Sequence, residues 1–163
     1  MRFISLLIIL LACKSASAQV IDSSFYRWTV YEIQENELDY KTCYIVSHPT
    51  KSDSNHSSRK TPYIMITRFQ KDRSEEVSIY GGFEYKLSSR IFAMVDKYQF
   101  KLKTKGDMAW NETRSQDVDM IRTLLHASAL NVRSDSAIGT YAVDEYSLKG
   151  ITRAYARMRE VCN

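Results

Sequence analysis

Apolar and polar residues alternate with a period of two along much of this chain. That is the spacing of a half-buried β-strand, whose successive side chains leave opposite faces. Residues 98–105 show it most cleanly. Tyr98, Phe100 and Leu102 point one way, and Lys97, Lys101, Lys103 and Lys105 point the other, with Gln99 among them. One side predicts core and the other a row of amines. Similar but shorter patterns predict strands over residues 27–33, 40–47, 63–69, 76–80, 85–87, 90–95, 130–133 and 140–143. Gly81-Gly82 marks a tight turn or bulge. Residues 48–60 read HPTKSDSNHSSRK, a run of turn formers that predicts a long exposed loop.

Two stretches change period to 3.6. Val118, Ile121, Leu124 and Leu125 form an apolar stripe on a helix predicted over residues 116–127, with Asp117 and Asp119 in its positive first turn. Ser147 is placed to cap a final helix with the stripe Leu148, Ile151, Ala154, Tyr155, Met158 and Val161. Lys149, Arg153, Arg157 and Arg159 then face water. Many short strands with one helix mid-chain and one at the C-terminus predict a mainly β, sandwich-like fold, with an α+β half-open sheet as the alternative.

The first eighteen residues follow a different order. Arg2 precedes an apolar run over residues 3–12, and Ala16-Ser17-Ala18 supplies the small-x-small pattern that a signal peptidase accepts. Cleavage there leaves Gln19 first, a flexible lead-in over residues 19–24 and a single β-rich domain over residues 25–163. The apolar run is shorter than the ~20 residues a membrane-spanning helix needs, and no later segment is longer, so no transmembrane segment is expected in the mature chain. A second reading takes Leu10-Leu11-Ala12-Cys13 as a lipoprotein box with a lipid on Cys13. Both readings place the protein in the periplasm, at the outer membrane or outside the cell. Cys13 is then removed or capped, and Cys43 and Cys162 remain as an even pair in an oxidising compartment. A disulfide between them closes a loop that the chain-entropy model values at roughly 4–5 kcal/mol. Two buried free thiols are the alternative.

The remaining composition excludes more than it assigns. The 163 residues hold one domain, and 44% hydrophobic with 26% charged residues is the balance of a folded protein. The net charge is +4 and falls to about +2 without Arg2 and Lys14, too little for a nucleic-acid partner. Eleven tyrosines suit half-buried strand faces and binding surfaces. His48, His56 and His126 sit in no hydrolase frame. Asp107, Asn111 and Glu112 form an oxygen cluster without a calcium-loop pattern, so neither metal nor cofactor is expected. Asp144 and Glu145 cannot act as an acid pair, because strand neighbours face opposite ways. The sequons at Asn55 and Asn111 matter only in a eukaryotic secretory route. The lysine row can meet anionic lipid headgroups, lipopolysaccharide or a host glycan. It can also guard an exposed strand edge against pairing.

Several spaced motifs carry a resemblance. Gly139-Thr140-Tyr-Ala-Val-Asp144-Glu-Tyr146-Ser147-Leu148-Lys-Gly150, followed by an alanine-bearing helix and Cys162, resembles the invasion-associated locus B family. Cys43-Tyr44-Ile45 with Ser47 and Pro49 is similar to that family's cysteine strand, and Glu76-Val77-Ser78 and Ala109-Trp110 fall where it has similar words. The likeness spans residues 27–162. Tyr31 departs from it, standing where some members have an extra cysteine. The resemblance implies a small protein exported by Gram-negative bacteria and associated with entry into host cells. It brings no catalytic residues. The expected activity is non-enzymatic contact with a protein, lipid or glycan of the envelope or host surface, and an envelope hydrolase is the alternative.

Overall fold

The computed structural model describes residues 19–34 and 40–163. The expected leader and Cys13 lie outside the described residues. The strands are β1 (Gln19–Phe25), β2 (Trp28–Gln34), β3 (Lys41–Ser47), β4 (Lys51–Ser54), β5 (Tyr63–Phe69), β6 (Ser74–Tyr80), β7 (Arg90–Val95), β8 (Tyr98–Lys105), β9 (Met108–Trp110), β10 (Ala129–Asp135) and β11 (Tyr141–Ser147). Helix α1 (Arg114–Leu124) follows β9, and α2 (Ile151–Val161) closes the chain. All ladders are antiparallel, in the order β1-β2-β3-β5-β6-β9-β8-β7-β10-β11-β4. The protein is mainly β with two helices, as its periodicity predicts.

Strand β4 shows that this sheet curls back on itself. In a flat sheet it would lie eight strand spacings from β3, or about 38 Å. The three residues joining β3 to β4 reach at most ~14 Å. The two ends must therefore face each other across the core, and Trp28 Nε1 donates to Ser147 O at 3.1 Å to tie β2 to β11. Between the halves lie Ile45, Ile64, Ile66 and Ile79 with Ile91, Leu102, Leu130 and Tyr146, all buried. Helix α2 packs on β1, β2 and β3, and α1 on β6.

Cys43 and Cys162 form the predicted disulfide, with their Cα atoms 5.9 Å apart, and it fastens the end of α2 to β3. A buried ion pair supports the same corner. Arg68 reaches Glu75 at 2.7 Å, and Glu75 also accepts from the Tyr155 hydroxyl at 2.6 Å. Burial, and then that hydrogen bond, push the Tyr155 hydroxyl up to about 12.

Several expectations are corrected. Residues 19–24 are not a flexible lead-in but part of β1, which pairs with β2 and is anchored by the Asp22–Arg157 ion pair at 2.7 Å. The loop over residues 48–60 contains β4, because Ser52 and Arg59 both bind Asp144 on β11. Residues 85–87 form no strand, only an isolated bridge from Tyr85 to Ser136. Ser147 ends β11 and does not cap α2; Gly150 stands at that position with φ 95°. A Cβ at Gly150 would come within 2.5 Å of Phe25 O, so the missing side chain is what lets the end of β1 approach the start of α2. On α1, Val118 is 47% exposed, and the buried side belongs to Asp117, Met120, Ile121 and Leu124.

Candidate functional site

Ladder register determines which side chains share the outer face of the sheet. Cys43, Ile45 and Ser47 of β3 point inward and are buried, so Thr42, Tyr44 and Val46 point outward. Across the ladders, Tyr31 stands opposite Tyr44, and Met65 opposite Val46. One outer row runs Tyr63, Tyr80, Met108, Lys105 over β5, β6, β9 and β8. The next runs Met65, Ser78, Trp110, Lys103. The tyrosines and the lysines thus share one face of one sheet.

The aromatic part of this face is a shallow groove of about 500 Å³, lined chiefly by Tyr31, Ile33, Tyr44, Val46, Tyr63 and Met65. Tyr31 and Tyr44 stack at 5.0 Å between ring centroids, and Tyr63 and Tyr80 at 4.9 Å. Facing pairs of this kind hold the rings upright on the pleat. Burial, followed by the neighbouring Tyr31, raises the Tyr44 hydroxyl above its ordinary value; burial, followed by Tyr80, does the same for Tyr63. Both stay neutral at physiological pH and keep a proton to donate. His48 closes one end: its Nδ1–H donates to Pro62 O at 2.9 Å, and its ring meets Tyr63 edge-on at 6.2 Å. Towards the lysines, the Lys103 ammonium lies 5.9 Å from the Trp110 ring centroid. Burial raises the nearby Glu76 carboxyl, against the pull of Lys103.

Lys101, Lys103 and Lys105 lie on β8, while Lys97 sits in the turn before it. The edge-guard reading of this row does not hold along its whole length. The Lys103–Lys105 end of β8 pairs with β9, and β7 flanks its other side from Tyr98 to Lys103. The sheet's edges are β1 and β4.

The other singled-out residues separate into structural roles. Asn111 is buried and donates to Asp117 Oδ1 at 2.8 Å, which also takes the sequon there out of reach. Glu112 pairs with Arg90, and Asp107 uses its backbone carbonyl to accept from Gly81. Among the described residues, no group of three His, Cys, Asp or Glu side chains could hold a metal ion. Asp144 is buried and Glu145 faces Lys51 at 3.4 Å, on opposite sides as expected. His56 Nδ1 shares a hydrogen bond with Thr140 Oγ1 at 2.7 Å, and Thr140 Oγ1 another with Ser136 Oγ at 2.6 Å. That chain closes the β10–β11 turn, where Thr140 N also donates to Ser136 Oγ. His126, in the turn after α1, is exposed and donates its Nδ1–H to Arg122 O at 2.8 Å.

Sequence reading identified the lysines and the abundance of tyrosine, but not the groove. Its signal was available in the strand parity: Tyr31, Tyr44 and Tyr63 each occupy the position next to a buried one. Compared with known proteins, the chain matches no family model, no curated protein and no solved structure. No helix among the described residues is long and apolar enough to cross a membrane.

Proposed function

We propose that the protein is an exported, non-catalytic component of the bacterial envelope or its exterior, and that it holds a glycan against the outer face of its sheet. The resemblance of residues 27–162 to the invasion-associated locus B family supplies the compartment, and the Cys43–Cys162 disulfide is compatible with it. Cleavage after Ala18, or a lipid on Cys13, belongs to the same reading. The observation that carries the binding role is the groove formed by Tyr31, Tyr44 and Tyr63. Sugar rings offer apolar C–H faces rimmed by hydroxyls. Upright phenol rings supply apolar walls for the former and neutral hydroxyls for the latter. Lys103 and Lys105, further along the same rows, suit an acidic substituent on such a glycan.

The test is binding of the secreted protein to an array of envelope and host-surface glycans. Replacing Tyr44 and Tyr63 together by alanine should lower binding more than tenfold while the disulfide stays intact. A parent protein that binds no glycan, or a variant that binds as well as the parent, would sink the reading.

A further inference from the structure

At the end of the molecule where β1 turns into β2, aromatic and cationic side chains meet without anionic partners among the described residues. The turn is Tyr26-Arg27, with Tyr26 at φ 57° and 65% exposed. It rests on the start of α2 at Gly150, whose missing side chain leaves room for Phe25 O and the Tyr26 ring. That seat brings the Lys149 ammonium to 4.4 Å from the Tyr26 ring centroid and the Arg153 guanidinium to 4.9 Å from that of Phe25. Thr152 donates to Leu125 O at 3.2 Å, so the end of α1 lies alongside with the exposed Arg122 and His126.

The charges there differ from those of the ion-paired arginines, and from the lysine row, where the charge of Lys103 acts on the Glu76 and Glu112 carboxyls. Arg59, Arg68, Arg90 and Arg157 each have a carboxylate within 3.2 Å. Arg27, Lys149 and Arg153 have none within 4.0 Å among the described residues, and Asp119 on α1 is held by Arg122. The tip is a two-residue turn, Tyr26-Arg27, between β1 and β2. A shape-matched protein partner needs a packed, dry centre to its contact. A bilayer surface does not, because it deforms around what enters it. Tyrosine rings prefer the boundary between headgroup and acyl chain, and lysine and arginine stems lie along apolar surface while their heads meet phosphate.

The geometry points to this end, Phe25-Tyr26-Arg27 with Lys149 and Arg153, as a docking site for an anionic phospholipid bilayer. It is separate from the tyrosine groove and does not depend on what fills that groove. It moves the lipid contact considered for the lysine row of β8 to an end where Lys149 and Arg153 each lie over an exposed or half-buried ring and, among the described residues, have no carboxylate within 4.0 Å.

Flotation with vesicles tests it, using the full chain carrying Cys13→Ser so that no acyl chain contributes. Vesicles of phosphatidylcholine with about one-third phosphatidylglycerol should carry the protein at low salt and release it at high salt; phosphatidylcholine alone should not carry it. Each cation near an anionic surface is worth about fivefold in partition, so Lys149→Gln with Arg153→Gln should weaken binding about 25-fold. Tyr26→Asn, which tolerates the positive φ, should weaken it less. Both variants should keep the disulfide and the parent's melting temperature, since the replaced side chains are exposed. Lys103→Gln with Lys105→Gln should bind like the parent. Equal binding to uncharged vesicles, no binding to anionic ones, or loss that follows Lys103 and Lys105 instead of Lys149 and Arg153 would each overturn the proposal.

Discussion

Asp144 and Glu145 are adjacent, yet one carboxylate lies inside the protein and the other in water. Asp144 has a side chain 3% exposed and is met on all sides. Arg59 donates to both of its oxygens, at 2.8 and 2.5 Å, and Ser52 donates at 2.7 Å. Arg59 in turn gives its Nε–H to Gly81 O. A buried carboxylate without such partners would be strongly unfavourable, and removing one member strands the other. Asp144→Ala should therefore lower stability by about 3–5 kcal/mol, read as a fall in the denaturant midpoint. Arg59→Met with Asp144→Leu should recover most of that loss, and a double variant no better than the single would show that the pair gives more than mutual neutralisation. Part of this was legible in the sequence. Alternation around Ala142 and Tyr146 puts Asp144 on the inward side, and an inward carboxylate demands a cation. That the cation is Arg59, 85 residues away in a polar run, depends on a ladder that periodicity does not reveal.

Helix α1 shows how an element can be recognised and still be set at the wrong angle. Its apolar residues fit a 3.6 period whether Val118 or Met120 joins the buried side, and treating Asp117 as solvent-facing favours Val118. The structure turns Asp117 inward, where its carboxylate accepts from Val77 N at 3.0 Å and from Asn111. Strand β9 pairs with β6 only from Ser78 to Tyr80, so Val77 N–H needs an acceptor beyond its end, and Asp117 supplies it. The helix starts at Arg114, two residues before the expected start, and the signal for it was in the sequence but not used: Thr113-x-x-Gln116 is a capping box, and both of its hydrogen bonds are present. Thr113→Ala should cost about 1 kcal/mol and Thr113→Ser much less, measured by thermal melting. Equal losses for the two would assign the effect to the threonine methyl group and not to its oxygen. The short strands β4 and β9 escaped notice for a related reason. Four and three residues are too few for a period, and their partners fix them.

For the whole molecule, what was legible and what was not divides by range. Strand positions come from local alternation, and most lie within a residue or two of the expected bounds. The order of strands depends on pairings that no local pattern encodes, such as β4 with β11. The disulfide is the exception, because Cys43 and Cys162, once Cys13 is set aside with the expected leader, leave one partner each. It links positions 119 residues apart, across nearly the whole described domain, and so restricts the unfolded chain more than a local bridge could. The chain-entropy model gives roughly 4–5 kcal/mol for a loop of this size. Cys43→Ala with Cys162→Ala should lose about that much in urea unfolding, minus whatever compactness the unfolded chain retains. That account has a structural basis. Arg68, Glu75 and Tyr155 already join β5, β6 and α2 beside the bridge. If that network alone held α2 in place, opening the bridge would leave native packing untouched and the loss would arise from the unfolded state. Amide exchange distinguishes the two. With the chain-entropy account, α2 keeps its protection relative to β3 while overall stability falls. If instead the last turn of α2, from Met158 to Cys162, exchanges selectively, the bridge acts as a native-state clasp that the ion pair cannot replace.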